Sequence, residues 1–194
     1  NCVAPPYHRW GELLGPVNDG VLHAAKSSGA PLVVLDNLYA YGRPEGPLTE
    51  QSPVRPCSRK GELRAREAEK FLAAHRAGQA RVALGRASDF YGPGVTQTAV
   101  FGERFFSRLK KRQGAECFGP PELLHSYSFV PDVAAGLVTL AKSPRAWGEV
   151  WHLPVAPAES TAAVAARFGR ELGFEVKTAR VPRLVLRAMG LFVP

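Results

Sequence analysis

A chain of 194 residues is long enough for one well-filled domain, or for one domain with a small appendage. Its hydrophobic content of 45% and charged content of 22% are ordinary for a globular protein and are not those of a disordered chain. The net charge of +8 is scattered along the predicted helices rather than massed on one element, and no nucleic-acid recognition motif accompanies it. We therefore expect no nucleic-acid partner.

The longest apolar runs, such as PLVVL at 31–35, are strand-sized and far below the roughly 18 residues that a membrane span requires. The three cysteines, Cys2, Cys57 and Cys117, are odd in number and widely spaced, without a CxxC pair. This spacing indicates neither a disulfide framework nor a zinc site. We expect a cytoplasmic protein that binds no metal and does not contact a membrane.

The first 94 residues alternate between helical and extended patterns. The pattern predicts a strand-like piece at 1–4, a helix at 16–28, a strand at 31–37, a Pro- and Gly-rich loop at 42–56, a helix at 58–77 and a strand at 80–86. The continuous apolar run PLVVLDN is typical of a strand buried on both faces. Strands and helices in this order predict parallel βαβ units in a doubly wound α/β sheet.

Ligands of such sheets lie beyond the carboxyl ends of the strands, so residues 37–42 and 87–94 are expected at the mouth of a site. After residue 94 the pattern changes. It predicts helices at 96–112, 131–142 and 160–172, strands at 149–154 and 175–182, and a basic helical tail at 182–192.

Five short motifs then fall into one order along the chain. They are LDNLYAYG at 35–42, P-x-x-x-K at 56–60, GRASDFYGPG at 85–94, YSFVPDVAAGLVTLA at 127–141 and GEVWHLP at 148–154. Together they resemble the extended short-chain dehydrogenase/reductase superfamily, and within it the NAD-dependent epimerase/dehydratase family. Each motif is weak alone, but all five in sequence are specific, and the resemblance covers residues 1 to about 172.

The resemblance implies a partial Rossmann-like fold, a doubly wound parallel sheet followed by a small α/β substrate-binding part. Residues 1–94 would be the C-terminal portion of the NAD(P)-binding domain. Residues 95–194 would form the substrate-binding part, with 131–154 returning to the Rossmann sheet. The implied cofactor is NAD or NADP, but the sequence contains no GxxGxxG turn for the pyrophosphate, so cofactor binding by these residues alone is not implied.

The sequence departs from the catalytic pattern of the family at two positions. A tyrosine and a lysine four residues later share one helical face, and the ammonium both assists the phenol and binds the nicotinamide ribose. Here Lys60 matches the lysine, whereas Pro56 stands at the tyrosine and Asn37 at the serine or threonine that holds the substrate oxygen. Without the family context, Lys60 reads as a surface lysine at the start of a helix.

Tyr39 is the best replacement acid, because it follows Asn37 by two residues and both side chains of an extended strand end point to the same side. Asn37 can donate and accept hydrogen bonds and so orient a substrate carbonyl. The alternative for Tyr39 is aromatic packing at a strand end. By resemblance, Ser88 and Asp89 contact the cofactor, although a polar residue that opens a turn is an equal alternative for Asp89.

The remaining candidates would bind substrate. Tyr7, His8 and Arg9 lie in PPYHRW, a segment rich in groups that stack on or pair with ligands, although a packed loop explains it as well. His125 and Tyr127 fall in the stretch that lines the substrate pocket in the family, and Asp89 joins them.

Two classes of function remain open. One is an NAD(P)-dependent epimerase/dehydratase-like oxidoreductase, truncated or partial, that acts on a small carbonyl or sugar-type substrate. The other is a Rossmann-like dinucleotide-binding or sensor protein without turnover, or an inactive fragment, which the loss of the tyrosine and the serine favours. The family's dimer helices correspond to 17–28 and 58–77, so a homodimer is expected.

Overall fold

A computed structural model describes residues 1–96 and 99–182 of the chain. The predicted tail at 182–192 lies outside the described residues from position 183 onward. The chain divides into two compact units. Unit 1 comprises Asn1–Ser88 and Pro131–Pro154, and unit 2 comprises Asp89–Val130 and the residues from Val155 onward.

Five α-helices are formed in the described part of the chain: α1 (Trp10–Ser28), α2 (Arg59–Arg76), α3 (Glu103–Lys110), α4 (Val130–Lys142) and α5 (Thr161–Leu172). Short 3-10 helices cover Tyr7–Arg9, Tyr39–Tyr41 and Pro144–Ala146. The strands are β1 (Leu32–Asn37), β2 (Val82–Ala87), β3 (Asp89–Tyr91), β4 (Ala115–Cys117), β5 (Leu124–His125), β6 (Tyr127–Phe129), β7 (Val150–His152), β8 (Glu159–Ser160) and β9 (Thr178–Arg180). None of the helices that the structure describes combines the length and the apolar character that a membrane crossing needs.

Unit 1 is built on a parallel sheet with the strand order β1-β2-β7. Helix α2 connects β1 to β2, which gives the βαβ unit expected from the sequence and confirms the α/β class. One face of the sheet packs against α1 and α2, where Leu22 and Phe71 meet Val34 and Leu84 in a buried cluster. At Gly85, strand β2 lies close to the Leu137 and Leu140 side chains of α4.

The sequence predicts burial on both faces for the strand at 31–37, whereas the structure shows it for β2. All six residues of β2 are buried, whereas β1 alternates between buried and half-buried positions. The reason is position in the sheet, since β2 lies between β1 and β7 while β1 pairs along only one side with a described strand. The segment at 1–4 is not a strand either, although the Asn1 carbonyl accepts a hydrogen bond from the Leu35 amide at 2.9 Å.

Two helix starts differ from the sequence prediction. Helix α1 begins at Trp10 and contains Pro16 in its interior, which costs one backbone hydrogen bond. The earlier turns are stabilised by burial, because Trp10 and Leu14 pack with Leu63 in a second cluster. Helix α3 begins only at Glu103, whose amide donates to the carbonyl of residue 96.

The described residues of unit 2 form three short strand pairs. Strands β3 and β6 are parallel, as are β4 and β9, while β5 and β8 are antiparallel. Helices α3 and α5 enclose an aromatic core in which Phe101, Phe105 and Tyr127 are buried and Phe168 is partly buried. This core gives unit 2 its own hydrophobic centre.

Candidate functional site

Lys60 lies in the first turn of α2, the helix that follows the long Pro-containing loop. The Ser58 hydroxyl caps this helix by accepting a hydrogen bond from the Gly61 amide at 3.1 Å. The Lys60 ammonium lies over the ring of Tyr7, with Nζ 3.2 Å from the ring centroid. This is a close cation–π contact, and it fixes the direction of the lysine side chain.

The Tyr7 ring lies near two further aromatic rings. The three rings form what we call the aromatic cluster: Tyr7, Trp10 and Tyr39. The ring centroids of Tyr7 and Trp10 are 4.8 Å apart, and those of Tyr7 and Tyr39 are 6.5 Å apart at nearly a right angle. Trp10 is buried, while Tyr7 is 48% and Tyr39 is 39% exposed. A second cation, Arg64, lies 4.0 Å over the Trp10 ring. The cluster is thus buried at Trp10 and open to solvent at Tyr7 and Tyr39.

Gly61, which has no side chain, lets α2 approach the segment that carries Tyr39. A Cβ atom on Gly61 would lie 2.7 Å from the Tyr39 carbonyl oxygen, closer than real Cβ atoms approach. Glycine at this position therefore allows the first turn of α2 to touch the 3-10 helix at Tyr39–Tyr41. As a result, three of the residues selected from the sequence, Lys60, Tyr39 and Tyr7, lie in one cluster.

The geometric reason given for pairing Tyr39 with Asn37 is wrong. Strand β1 ends at Asn37, and Tyr39 already belongs to a 3-10 helix, so the alternation of an extended strand does not apply. Instead, Asn37 Oδ1 accepts a hydrogen bond from the Tyr39 amide at 3.1 Å, which is an Asx turn. The Asn37 side chain holds the turn that presents Tyr39, while the catalytic roles of both residues stay predictions.

The other residues of PPYHRW lie at the surface. His8 and Arg9 are exposed and form a 3-10 helix with Tyr7. The Arg9 guanidinium pairs with the Glu12 carboxylate at 3.0 Å on the exposed surface. Of the PPYHRW segment, therefore, only Tyr7 and Trp10 join the aromatic cluster.

Ser88 is half-buried and directly follows β2 at its carboxyl end.

Sequence reasoning missed a row of charged residues across the sheet of unit 1. Asp36 is the register partner of Arg86, and Arg86 is the partner of His152, so the three strands each contribute one titratable side chain near their carboxyl ends. Arg86 Nε donates to Asp36 Oδ2 at 3.0 Å, and both side chains are 4% exposed. Arg64 Nη1 lies 3.6 Å from the other Asp36 oxygen. Two cations thus hold one buried carboxylate.

Tyr41 contacts two members of this row, Arg86 and His152. Its hydroxyl is hydrogen-bonded to His152 Nε2 at 2.8 Å, and the Arg86 guanidinium lies 4.6 Å over its ring. The Glu50 carboxylate accepts a hydrogen bond from the His152 amide at 2.9 Å, and this bond lowers the Glu50 pKa. Burial lowers the pKa of Arg64 and of His152, although Asp36 opposes the first shift and Glu50 the second. The only sequence signal was a charged residue near the end of each strand.

The lowered pKa of His152 gives a pH dependence of stability. Because the unfolded imidazole takes up a proton near its ordinary pKa of 6.5 and the folded one does so only at lower pH, the folded state loses stability as the pH falls below about 6.5. We expect the free energy of unfolding, measured by urea titration from pH 7.5 to 5, to fall less steeply in His152→Gln. His23→Gln, which changes an exposed histidine of α1, should keep the parent slope. Equal slopes in all three proteins would refute the assignment to His152.

Unit 2 brings together the three substrate-binding candidates that belong to it. Strands β3 and β6 place Asp89 beside Tyr127, and His125 Nε2 lies 2.8 Å from Asp89 Oδ2. The rings of His125 and Tyr127 are 4.8 Å apart. Burial raises the pKa of Tyr127, whose hydroxyl is hydrogen-bonded to Thr161 Oγ1 at 2.9 Å. Among residues 1–96 and 99–182, no group of three His, Cys, Asp or Glu side chains is placed to hold a metal ion.

Comparison with known families decides the classification. A model of the NAD dependent epimerase/dehydratase family matches residues 16–153, which is more than half of the 194 residues. The chain belongs to the NAD-dependent epimerase/dehydratase family. The resemblance drawn from the five sequence motifs is thereby confirmed, and the departures at Pro56 and Asn37 are departures within this family.

Solved structures match the fold of this epimerase/dehydratase chain at low identity. UDP-glucuronic acid 4-epimerase from Bacillus cereus in complex with NAD is 16% identical with a TM-score of 0.81, over 93% of this chain and 60% of that one. dTDP-glucose 4,6-dehydratase from Bacillus anthracis in complex with NAD is 19% identical with a TM-score of 0.73, over 85% and 55%. UDP-N-acetylglucosamine 4-epimerase from Methanobrevibacter ruminantium in complex with UDP-N-acetylmuramic acid is 16% identical with a TM-score of 0.76, over 93% and 62%.

These matches confirm the partial Rossmann-like fold expected from the sequence. The chain spans between 55% and 62% of the length of these three proteins. No curated protein matches the chain.

The residues present fit one end of a nicotinamide dinucleotide. The Lys60 ammonium has three N–H donors, its charge is held by the Tyr7 ring, and no carboxylate among the described residues accepts a hydrogen bond from it. Such a group suits the hydroxyls of a ribose. The 194 residues contain no glycine-rich GxxGxxG turn, so they supply no pyrophosphate cradle of that kind.

Proposed function

We propose that this chain is part of an NAD-dependent oxidoreductase of the epimerase/dehydratase type, acting on a small carbonyl or sugar-type substrate. The observation that carries the proposal is the placement of Lys60, which begins α2 and contacts Tyr7 within the aromatic cluster. The family match supports the reaction class. The NAD named with the epimerase and dehydratase structures supports NAD as the cofactor.

Within this proposal, Lys60 binds the nicotinamide ribose, and Ser88 and Asp89 also contact the cofactor. When bound, NAD supplies the hydride chemistry of the reaction. The half-exposed ring of Tyr7 lies against the Lys60 ammonium, and no carboxylate among the described residues pairs with it. The positive charge therefore stays available to hydroxyl groups.

The proton has to move through a residue other than the one at position 56, because proline has no titratable group. Tyr39 is the candidate in unit 1, since its ring is half-exposed and its backbone is fixed by Asn37. We propose that the Tyr39 hydroxyl exchanges the proton with the substrate oxygen and that Asn37 orients that oxygen. Tyr7, His8, Arg9, Asp89, His125 and Tyr127 are the proposed substrate-binding residues.

Nicotinamide cofactor binding tests the role of Lys60. In the full-length protein, Lys60→Met should weaken NAD binding by about tenfold or more, since a hydrogen bond to a charged group is worth about 1.5–3 kcal/mol. Binding is measured by titration calorimetry. Lys26→Met, on an exposed part of α1, is the matched control and should bind NAD like the parent. Equal affinity in Lys60→Met and the parent would remove the basis of the proposal.

The contact between Lys60 and Tyr7 is tested separately from the lysine itself. Tyr7→Phe keeps the ring face and should bind NAD within about twofold of the parent, whereas Tyr7→Leu removes the cation–π contact and should weaken binding about two- to fivefold. Both constants come from the same calorimetric titration. Were the hydroxyl of Tyr7 the important group, the phenylalanine variant would instead show the larger loss.

The runner-up function is a dinucleotide-binding or sensor protein without turnover, and Pro56 is the observation that favours it. Tyr39→Phe separates the two functions. If Tyr39 is the acid, this variant keeps NAD affinity and loses turnover by about 10²-fold or more, as expected for a lost general acid. A parent protein that binds NAD but does not reduce, epimerise or dehydrate a carbonyl or sugar substrate would support the sensor.

Assembly as a homodimer through α1 and α2 belongs to the same proposal, as does a cytoplasmic location. Within the chain these helices are already joined, because Asn18 donates to the buried Glu67 carboxylate at 3.1 Å. The outer face of α2 is charged and carries Arg59, Glu62, Arg66, Glu69 and Arg76. A dimer through this face would rely on ion pairs, so its mass in light scattering should fall towards that of a monomer as salt is raised.

A further inference from the structure

Unit 2 contains a cavity of about 140 Å³ whose lining includes Tyr127 but no other residue of the proposed oxidoreductase site. Four of its nine lining residues are aromatic: Tyr91, Phe101, Tyr127 and Phe168. The centroids of Phe101 and Tyr127 are 4.6 Å apart, and those of Phe101 and Phe168 are 6.4 Å apart. These rings also belong to the core of unit 2, so the packing of the core holds the walls in place.

The two charged groups at this cavity pair with each other. Glu159 and Arg167, which both line it, form an ion pair with one another. The Tyr127 hydroxyl is bonded to Thr161, and its raised pKa keeps it a neutral phenol. The cavity therefore presents aromatic faces and a charge-neutral rim. A charged ligand group would have to compete with the ion pair or lie against apolar rings, and both are unfavourable.

We propose that this cavity is a binding site for one uncharged six-membered ring, aromatic or alicyclic. The size is right, because an apolar cavity of about 150 Å³ accepts a benzene molecule. Aromatic walls with few polar groups are the usual character of small-molecule sites. The site lies in unit 2 alone, requires neither cofactor nor Lys60, and shares only Tyr127 with the proposed substrate-binding residues.

Three probes of nearly equal size test the charge preference: benzyl alcohol, benzoate and benzylammonium. They are titrated into the full-length protein without NAD, and binding is followed by saturation-transfer NMR. Benzyl alcohol should bind, and both charged probes should bind at least about tenfold more weakly. Tighter binding of benzylammonium would instead make the cavity a cation cage, and tighter binding of benzoate would make it an anion site. Either result overturns the proposal.

Filling the cavity tests its location. Val164→Phe places a ring in the space from α5, and Ala156→Trp covers the exposed rim without entering the core. Ala166→Phe adds a similar ring to the exposed face of α5 and is the control. We expect both cavity variants to lose benzyl alcohol binding by about tenfold or more while the control binds like the parent. Should Val164→Phe unfold, the Ala156→Trp result alone decides, and unchanged binding in it overturns the site.

Discussion

Replacing Arg86 with methionine is expected to lower the free energy of unfolding by about 3–5 kcal/mol. The change leaves the carboxylate of Asp36, whose side chain is 4% exposed, without the cation that donates to it at 3.0 Å. Arg64 remains at 3.6 Å, but it is shared with the Trp10 ring and its Nε has no hydrogen-bond partner. The remaining cation therefore compensates only in part, because a buried charge needs both attraction and hydrogen bonds.

Urea unfolding at neutral pH measures this loss. The double variant Asp36→Leu with Arg86→Met should recover part of it, since it removes the uncompensated carboxylate but also takes from the largely buried Arg64 its carboxylate partner. Arg9→Met, which breaks the exposed pair with Glu12, should change stability by less than about 1 kcal/mol. If Arg86→Met cost no more than Arg9→Met, the charged row would not be a structural element of the sheet.

Gly42→Ala is expected to destabilise the protein by at least about 2 kcal/mol. Gly42 has φ +74° and ψ −127°, a conformation that residues with a side chain avoid. In addition, a Cβ atom at this position would lie 2.0 Å from the Arg55 carbonyl oxygen. Gly42 and Arg55 lie near the two ends of the loop from 42 to 58, and the two ends meet at this contact. The substitution therefore forces the ends of the loop apart.

The functional effect of Gly42→Ala follows from where that loop leads. It ends at Ser58, the cap of α2, two residues before Lys60. We expect the alanine variant to bind NAD several-fold more weakly, even at a temperature at which it remains folded. Gly46→Ala is the control in the same loop, because its added Cβ meets no atom within 4 Å. Thermal unfolding and NAD titration of both variants separate the two effects, and parent-like behaviour of Gly42→Ala would contradict this account.

Periodicity located the main elements of unit 1 well. The strands predicted at 31–37 and 80–86 are β1 and β2, and the helix predicted at 58–77 is α2. These elements are long or strongly apolar, so local pattern and tertiary burial agree. Boundaries were less predictable where packing opposed a local signal. Helix α1 continues through Pro16 because the buried Trp10 and Leu14 stabilise its first turns.

The sequence by itself determined the family, the α/β class, the lysine that opens α2 and the proline at the tyrosine position, because each depends on residue type and spacing along the chain. Only the tertiary structure decided which side chains meet. Tyr7 comes to lie under Lys60, and Asp36, Arg86 and His152 align across three strands. Contacts between residues distant in sequence depend on strand register and on the close approach that Gly61 permits. No local sequence pattern predicts either of these features.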